Sequence, residues 1–231
     1  MSRLPVLAFY PLLDLKFTKW STILWTMGRV SNAKERLMDA STTLTWQMGY
    51  NAVTVDAICE RASVKKGSFY HFFKSKADLA IAAMENAWQT RSRPSLDAMF
   101  SASIPPLERI KRYFEYLYQR QLDEMKETGG CALGCPFFSI GMESGGLEPE
   151  VWHASQKYVK RKRKYLEAAI RDAQAEGSVE ISSVEDAVQG LQALMEGALA
   201  LARVQNDPEP LRKLYKEALR LIGAKQLATT T

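Results

Sequence analysis

Cysteine is nearly absent from this chain. Cys59, Cys131 and Cys135 are sparse and odd in number. They exclude a disulfide framework and fit a reducing compartment, the cytoplasm. Histidine is scarcer still: His71 and His153 lie far apart. No Cys/His cluster has metal-site spacing, so no metal is expected. There is no Ser/His/Asp motif, P-loop or GxGxxG, which leaves no cofactor site and no recognisable enzyme class. Cys131 and Cys135 have no candidate base near them in sequence, so a catalytic pair is disfavoured. No apolar stretch reaches the roughly 18 residues needed to cross a bilayer, so no membrane partner is expected. Nothing reads as a β-strand, and the fold class expected is all-α.

What is present is ordinary in bulk and uneven in place. The 231 residues are 46% hydrophobic and 25% charged, enough for a full core with a solvated surface. The net charge is +5, with a pI near 9.0, which suggests a polyanionic partner. Residues 29–93 hold ten Lys/Arg against six Asp/Glu, and residues 94–231 hold eighteen against nineteen. The positive end is therefore the N-terminal third. Residues 1–28 carry Arg3 ahead of an apolar run, but Pro5, Pro11 and Asp14 break it and no small-residue cleavage site follows. They are expected to form a disordered extension, with Met27 standing directly before the first clear helical pattern.

Asn32 with Glu35 resembles a capping box. Ala33, Leu37, Ala40, Leu44 and Met48 then repeat at helical steps, and Gly49 ends that helix. Thr54 stands where a second helix needs its N-cap, and Val55, Ile58, Cys59 and Ala62 form that helix's apolar face. Ser63-Val64 is a break, and a third short helix runs from about Lys65 to Phe72. Ser75 and Asp78 open a fourth, expected to run to about Arg93. Two short helices braced by longer ones form a helix-turn-helix, whose second helix enters the major groove. In that helix Phe69, Phe72 and Phe73 are the expected inward anchors. Lys65, Lys66, Ser68, Tyr70 and His71 can face outward, Gly67 allows close backbone approach, and Lys74 and Lys76 flank the helix.

Residues 54–79, TVDAICERASVKKGSFYHFFKSKADL, resemble the DNA-binding signature of the TetR family of bacterial one-component transcriptional regulators. The likeness is specific over about residues 32–80 and looser beyond. It implies an all-α homodimer with an N-terminal three-helix DNA-binding domain over residues 29–80. A C-terminal helical ligand-binding and dimerisation domain would follow over residues 81–231. Members mostly repress, and release double-stranded operator DNA when a small molecule binds. Carried over by position, Thr54 is the capping threonine that also meets a phosphate. Lys65, Lys66, Gly67 and Ser68 begin the recognition helix, Tyr70 packs on the backbone, and Lys76 meets a phosphate. The family's Tyr-any-His-Phe reads Tyr70-His71-Phe72-Phe73 here. Phe72 cannot donate the histidine's hydrogen bond, and His71, one place earlier, is the candidate for part of that contact.

The remainder supplies the other expectations. Pro105-Pro106 open a helix closed by Gly129-Gly130, residues 131–142 read as an apolar, turn-rich connection, and Pro149 starts a long helix ending near Gly177. Its basic run, residues 157–164 (KYVKRKRK), sits ahead of Glu167, Asp172 and Glu176 and reads as a solvated face. Ser182-Ser183 and Asp207-Pro208 start the last two helices. These look like the family's dimerisation pair, with Leu191, Met195, Leu199, Leu211, Tyr215, Ala218, Leu221 and Ile222 at the interface. Gly190, Ala193, Gly197 and Ala198 would allow close helix approach. Trp88, Tyr113, Leu117, Phe137, Phe138, Met142, Trp152 and Met195 are candidates to line a pocket for a largely apolar effector, because such sites are concave and mostly apolar. The fourth helix would couple that pocket to DNA. A rival trigger is oxidation or electrophile capture at Cys131 and Cys135. A plain interaction module is the remaining alternative.

Overall fold

The computed structural model describes residues 32–225; the expectations for residues 1–28 and for a start at Met27 lie outside them. The described chain is helical throughout. Its one β-contact is an isolated antiparallel bridge between Val179 and Ala224. Ten helices follow one another among the described residues, α1 (Ala33–Met48) to α10 (Glu209–Leu221).

The first core gathers Leu37 of α1, Ile58 of α2 (Val55–Ala62), Phe69 of α3 (Lys66–Phe72) and Leu79 of α4 (Lys76–Ala87), all fully buried. Local chemistry sets the short elements. The Thr54 hydroxyl accepts from the Ala57 N–H at 3.1 Å and the Ser75 hydroxyl from the Asp78 N–H at 3.0 Å. Ser63 ends α2 in the left-handed region, φ 51°, a strained place for a residue with a side chain. The Asn32 box does not form: its backbone, φ −78° and ψ 26°, is not extended, and its side chain makes no cap bond.

The fourth helix does not stop near Arg93. It passes through a π turn, Trp88–Ser92, and continues as α5 (Arg93–Met99). The Arg93 N–H reaches back to the Trp88 carbonyl, and Pro94 follows with no N–H to give. Leu79 and Ala83 serve the first core, while Ala80, Met84 and Ala87 serve a second.

That second core is built by α6 (Pro106–Glu127), α7 (Pro136–Ser144), α8 (Pro149–Ala175), α9 (Val184–Gln205) and α10. Residues 131–142 are not all connection. Pro136 is a helix-starting proline at the first position of α7, a signal outweighed in the sequence by the surrounding glycines. The Ser155 hydroxyl of α8 donates to the Phe137 carbonyl at 2.6 Å and fixes α7 against it. Ser183 caps α9 through the Asp186 N–H at 3.2 Å.

The dimer stripe is corrected. Leu191, Met195, Leu199, Leu211, Ala218 and Ile222 are at most 2% exposed within one subunit, and Tyr215 is half-buried against the same core. Their periodicity records the core face of α9 and α10, and only Leu221 remains outward, 43% exposed.

Candidate nucleic-acid interface and effector cavity

Helix α3 has seven residues, too few to hold its shape alone. Phe69 and Phe73 anchor it, 0% and 3% exposed, with ring centroids 6.0 Å apart. Phe72 is half-buried at the edge of that core, so the inward triple is two full anchors and one partial one. Lys65, Lys66, Gly67, Ser68, Tyr70 and His71 are all exposed. A β-carbon built on Gly67 meets nothing within 4 Å, so no neighbour in this chain requires glycine there. Tyr70 presents a large ring to solvent, 54% exposed.

Charge on this surface is partly spoken for. The Lys66 ammonium lies 2.7 Å from an Asp56 carboxylate oxygen, both side chains exposed. That hydrogen bond holds Lys66 above its usual lysine range. Thr54 is exposed at the start of α2 while it caps the helix. Lys76 differs from the free phosphate lysine expected. Its ammonium donates to the carbonyls of Tyr50 at 3.0 Å and Val53 at 3.2 Å and lies 4.2 Å from the centre of the Tyr50 ring. It pins the α1–α2 loop. The same loop is tied onward by the Asn51 N–H to Glu143 of α7 and by the Tyr50 hydroxyl to Glu148.

Behind this surface the second core holds a partly open cavity of about 40 Å³. Tyr113 and Leu117 of α6 line it, with Phe137, Tyr158, Leu96 and Leu199 completing the apolar wall. Polar groups interrupt that wall at Ser92, Arg120, Gln121, Cys135 and Lys162. Of the eight expected pocket residues, Tyr113, Leu117 and Phe137 line the cavity. Trp88 stands one layer behind, edge-on to Tyr158 at 5.6 Å, and Met195 is buried away from it. Phe138 and Met142 instead line a separate outer groove with Cys135, Glu196 and Val204. Trp152, 39% exposed, lines neither. Helix α7 turns Phe137 toward the cavity and Phe138 toward the outer groove.

The polar floor was missed because its central residue lies inside the basic run. Lys162 continues the buried stripe Val151, Ser155, Tyr158, Leu166 and Ala169 of α8 at helical steps. Its side chain is 12% exposed and its ammonium is 3.1 Å from Glu196, whose side chain is 5% exposed. Burial acts to lower the Lys162 pKa, but Glu196 and neighbouring Tyr113, Cys135 and Tyr158 outweigh it and hold it well above the usual range. Arg161 bonds Glu85 at 2.7 Å and covers the Trp88 ring, and Arg163 bonds Glu167 at 3.2 Å and Gln189 at 2.9 Å. Only Lys157, Lys160 and Lys164 form the solvated face expected of the whole run. Burial pushes the Cys135 thiol up to about 11 and the Glu124 carboxyl, against the pull of Arg120, up to about 7.

Cavity and reading head are in contact. The Trp46 indole of α1 donates to the carbonyls of Leu133 and Gly134, and Arg120 stacks over its ring at 5.1 Å. Gly134 and Arg120 both line the cavity. Among the described residues, no group of His, Cys, Asp and Glu is placed to hold a metal, and no helix is long and apolar enough to cross a membrane.

A two-helix reading head braced on an all-helical body defines a helix-turn-helix DNA-binding regulator. Comparison with known proteins gives it a family. Residues 37–83 match the bacterial regulatory proteins of the tetR family, and residues 106–218 match the tetracyclin repressor-like C-terminal domain. The transcriptional regulator AcuR of Cereibacter sphaeroides is 32% identical over 188 residues, 80% of this chain and 83% of that one. The repressor NemR of Escherichia coli K12 is 23% identical over 83% of this chain and 94% of its own. A regulatory protein TetR from Rhodobacter sphaeroides superposes with a TM-score of 0.69 at 29% identity, covering 84% of this chain and 98% of that one. A TetR-family regulator from Agrobacterium tumefaciens, 20% identical, shares the fold with a TM-score of 0.74 over 84% of this chain and 98% of its own. The chain belongs to the TetR family of transcriptional regulators.

Proposed function

We propose that this regulator is a repressor that binds palindromic operator DNA as a homodimer in the cytoplasm and leaves it when a small molecule enters the α6–α8 cavity. The observation that carries this reading is the Trp46 bond to Gly134: α1 supports α2 and α3, and Gly134 is cavity wall. A ligand that repositions residues 133–135 moves the support of the reading head. It need only favour the arrangement in which two recognition helices no longer match the groove spacing. In this reading Lys65, Ser68 and His71 meet base edges, and Thr54, Lys66, Gly67 and Tyr70 meet the backbone; all seven are exposed. Lys76 contributes chiefly by fixing the loop beneath them.

The dimer seam shifts to the other side of α9. Gly190, Ala193, Gly197, Ala200, Leu201 and Val204 recur on its outer face, with Leu221 of α10 packed over Gly190. Leu201 and Val204 are 52% and 82% exposed, and a β-carbon on Gly197 meets nothing within 4 Å. Small residues let a second helix approach, and a four-helix arrangement of two such pairs would cover the leucine and valine. Fluorescence anisotropy on a palindromic operator from its own upstream region, against a scrambled duplex, tests the reading. Equal affinity for both would sink it.

The thiol reading has one favourable observation, the position of Cys135 in the cavity wall, while Cys131 is exposed. A thiol held near 11 is protonated at neutral pH and is a weak nucleophile, which favours non-covalent binding. Peroxide-driven release of DNA that vanishes in Cys131→Ser/Cys135→Ser would reverse that preference.

A further inference from the structure

We propose that the cavity binds a small organic carboxylate, with its tail among Leu117, Phe137 and Leu96 and its carboxylate on the Lys162 ammonium and the Tyr113 hydroxyl. The proposal deepens the reading of this cavity as the effector site and rests on it.

The unused polar capacity on the cavity side is weighted toward donors. Tyr113 is 2% exposed and lines the cavity, yet its hydroxyl has no hydrogen-bond partner. A buried hydroxyl is normally paired, and an orphan in a cavity wall marks a place where something else supplies the partner. Lys162 gives one N–H to Glu196, at 3.1 Å, and its ammonium carries three. Arg120 places a second cation on the wall, with its Nε on Glu124 at 2.8 Å. Gln121 spends both N–H groups on Glu124 and the Gly134 carbonyl, and its oxygen accepts from the Gly134 N–H. Among the described residues, the buried side-chain carboxylate oxygen left without a partner is Glu196 Oε2, and Glu196 lines the outer groove and not the cavity. Tyr113 can donate or accept, and the two cations beside it can only donate, so together they favour an acceptor.

Charge agrees with geometry. Lys162 and Arg120 face one carboxylate held as an ion pair, Glu196, and one that burial raises to about 7, Glu124. At neutral pH a share of Glu124 is protonated, so an incoming anion meets a surplus of positive charge. An amine would meet two cations and no carboxylate among the wall residues, only hydroxyl and amide oxygens. Cavity size selects a ligand of few heavy atoms, since about 40 Å³ of such space is a few waters' worth.

Calorimetric titration of the full chain with butanoate and with its isostere butanamide tests the inference. Butanoate should bind at least tenfold tighter. Tyr113→Phe should weaken butanoate about tenfold, the worth of a hydrogen bond to a charged group, while melting no lower than wild type, because it removes only an unpartnered hydroxyl. Equal affinity for acid and amide, an unchanged Tyr113→Phe, or no binding of butanoate would each overturn the carboxylate. Leu117→Phe, which narrows the cavity, separates the two layers. Butanamide lost in Leu117→Phe but bound by wild type as tightly as butanoate leaves the cavity reading standing without the carboxylate. Butanoate bound by Leu117→Phe at wild-type strength removes the cavity itself.

Discussion

The indole N–H of Trp46 is shared between the carbonyls of Leu133, at 3.0 Å, and Gly134, at 3.2 Å. One side chain of the first helix thus holds both residues that lead into the cavity wall. Trp46→Phe keeps an apolar ring there and removes the donor. It should cost about 1–2 kcal/mol in urea unfolding and speed amide exchange over residues 131–135. Unchanged exchange in that segment would show that the bond does not restrain it.

Gly67→Ala should act oppositely on folding and on binding. The free helix has room for the methyl, so stability should rise by about 0.5–1 kcal/mol. Operator affinity should fall, because the added β-carbon stands where DNA approaches. A variant that binds its operator as well as wild type would remove Gly67 from the contact surface.

Lys66 and Lys76 should separate. Lys66→Ala should flatten the salt dependence of DNA binding by about one unit of slope, at little cost in stability, since its bridge to Asp56 is exposed. Lys76→Ala should instead lower stability by about 1–2 kcal/mol, because it frees two loop carbonyls. A Lys76→Ala variant that melts like wild type and flattens the salt slope as Lys66→Ala does would return Lys76 to the phosphate class.

Substitutions on opposite sides of α9 should divide as burial does. Leu201→Arg, on the outer face, should give folded monomers in sedimentation with weak operator binding. Leu199→Arg, 2% exposed, should fail to fold, because an unpaired charge would be buried. A dimeric Leu201→Arg would place the interface elsewhere.

Glu124 should make stability depend on pH. Burial lifts its carboxyl from 4.5 to about 7, so the folded chain binds that proton more tightly than the unfolded chain does. The resulting stability is full below pH 4.5 and lost as pH rises through 7, on the order of 3 kcal/mol in all. Glu124→Gln should flatten the fall measured by denaturant titration between pH 5 and pH 8. A variant that keeps the wild-type slope would assign it to another group.

Much of the architecture was legible, because periodicity and caps are local. The Thr54 and Ser75 caps, the Gly49 and Gly177 stops and the proline starts lie where the sequence placed them. The site was less legible, because facing is a tertiary property. The stripe Leu191, Met195 and Leu199 told that one side of α9 is apolar, and not whether its partner was this chain or another. Lys162 was hidden by Arg161 and Arg163. Its step of four from Tyr158 and to Leu166 was the available signal, and charge obscured it. Phe137 and Phe138, one residue apart, went to different cavities because adjacent helical positions point about 100° apart.

The π turn between α4 and α5 has a mechanical consequence. Helix α4 sets the phase of Leu79 in the reading head's core, and α5 sets that of Leu96 at the cavity. The extra residue between them is a dislocation in an otherwise regular lattice of hydrogen bonds. A dislocation lets one part of a rod slip past another by exchanging bonds one at a time, while both ends keep their seats. Pro94 has no N–H to restore the ordinary bond, and Ser92, the last residue before α5, lines the cavity and bonds the Tyr158 hydroxyl.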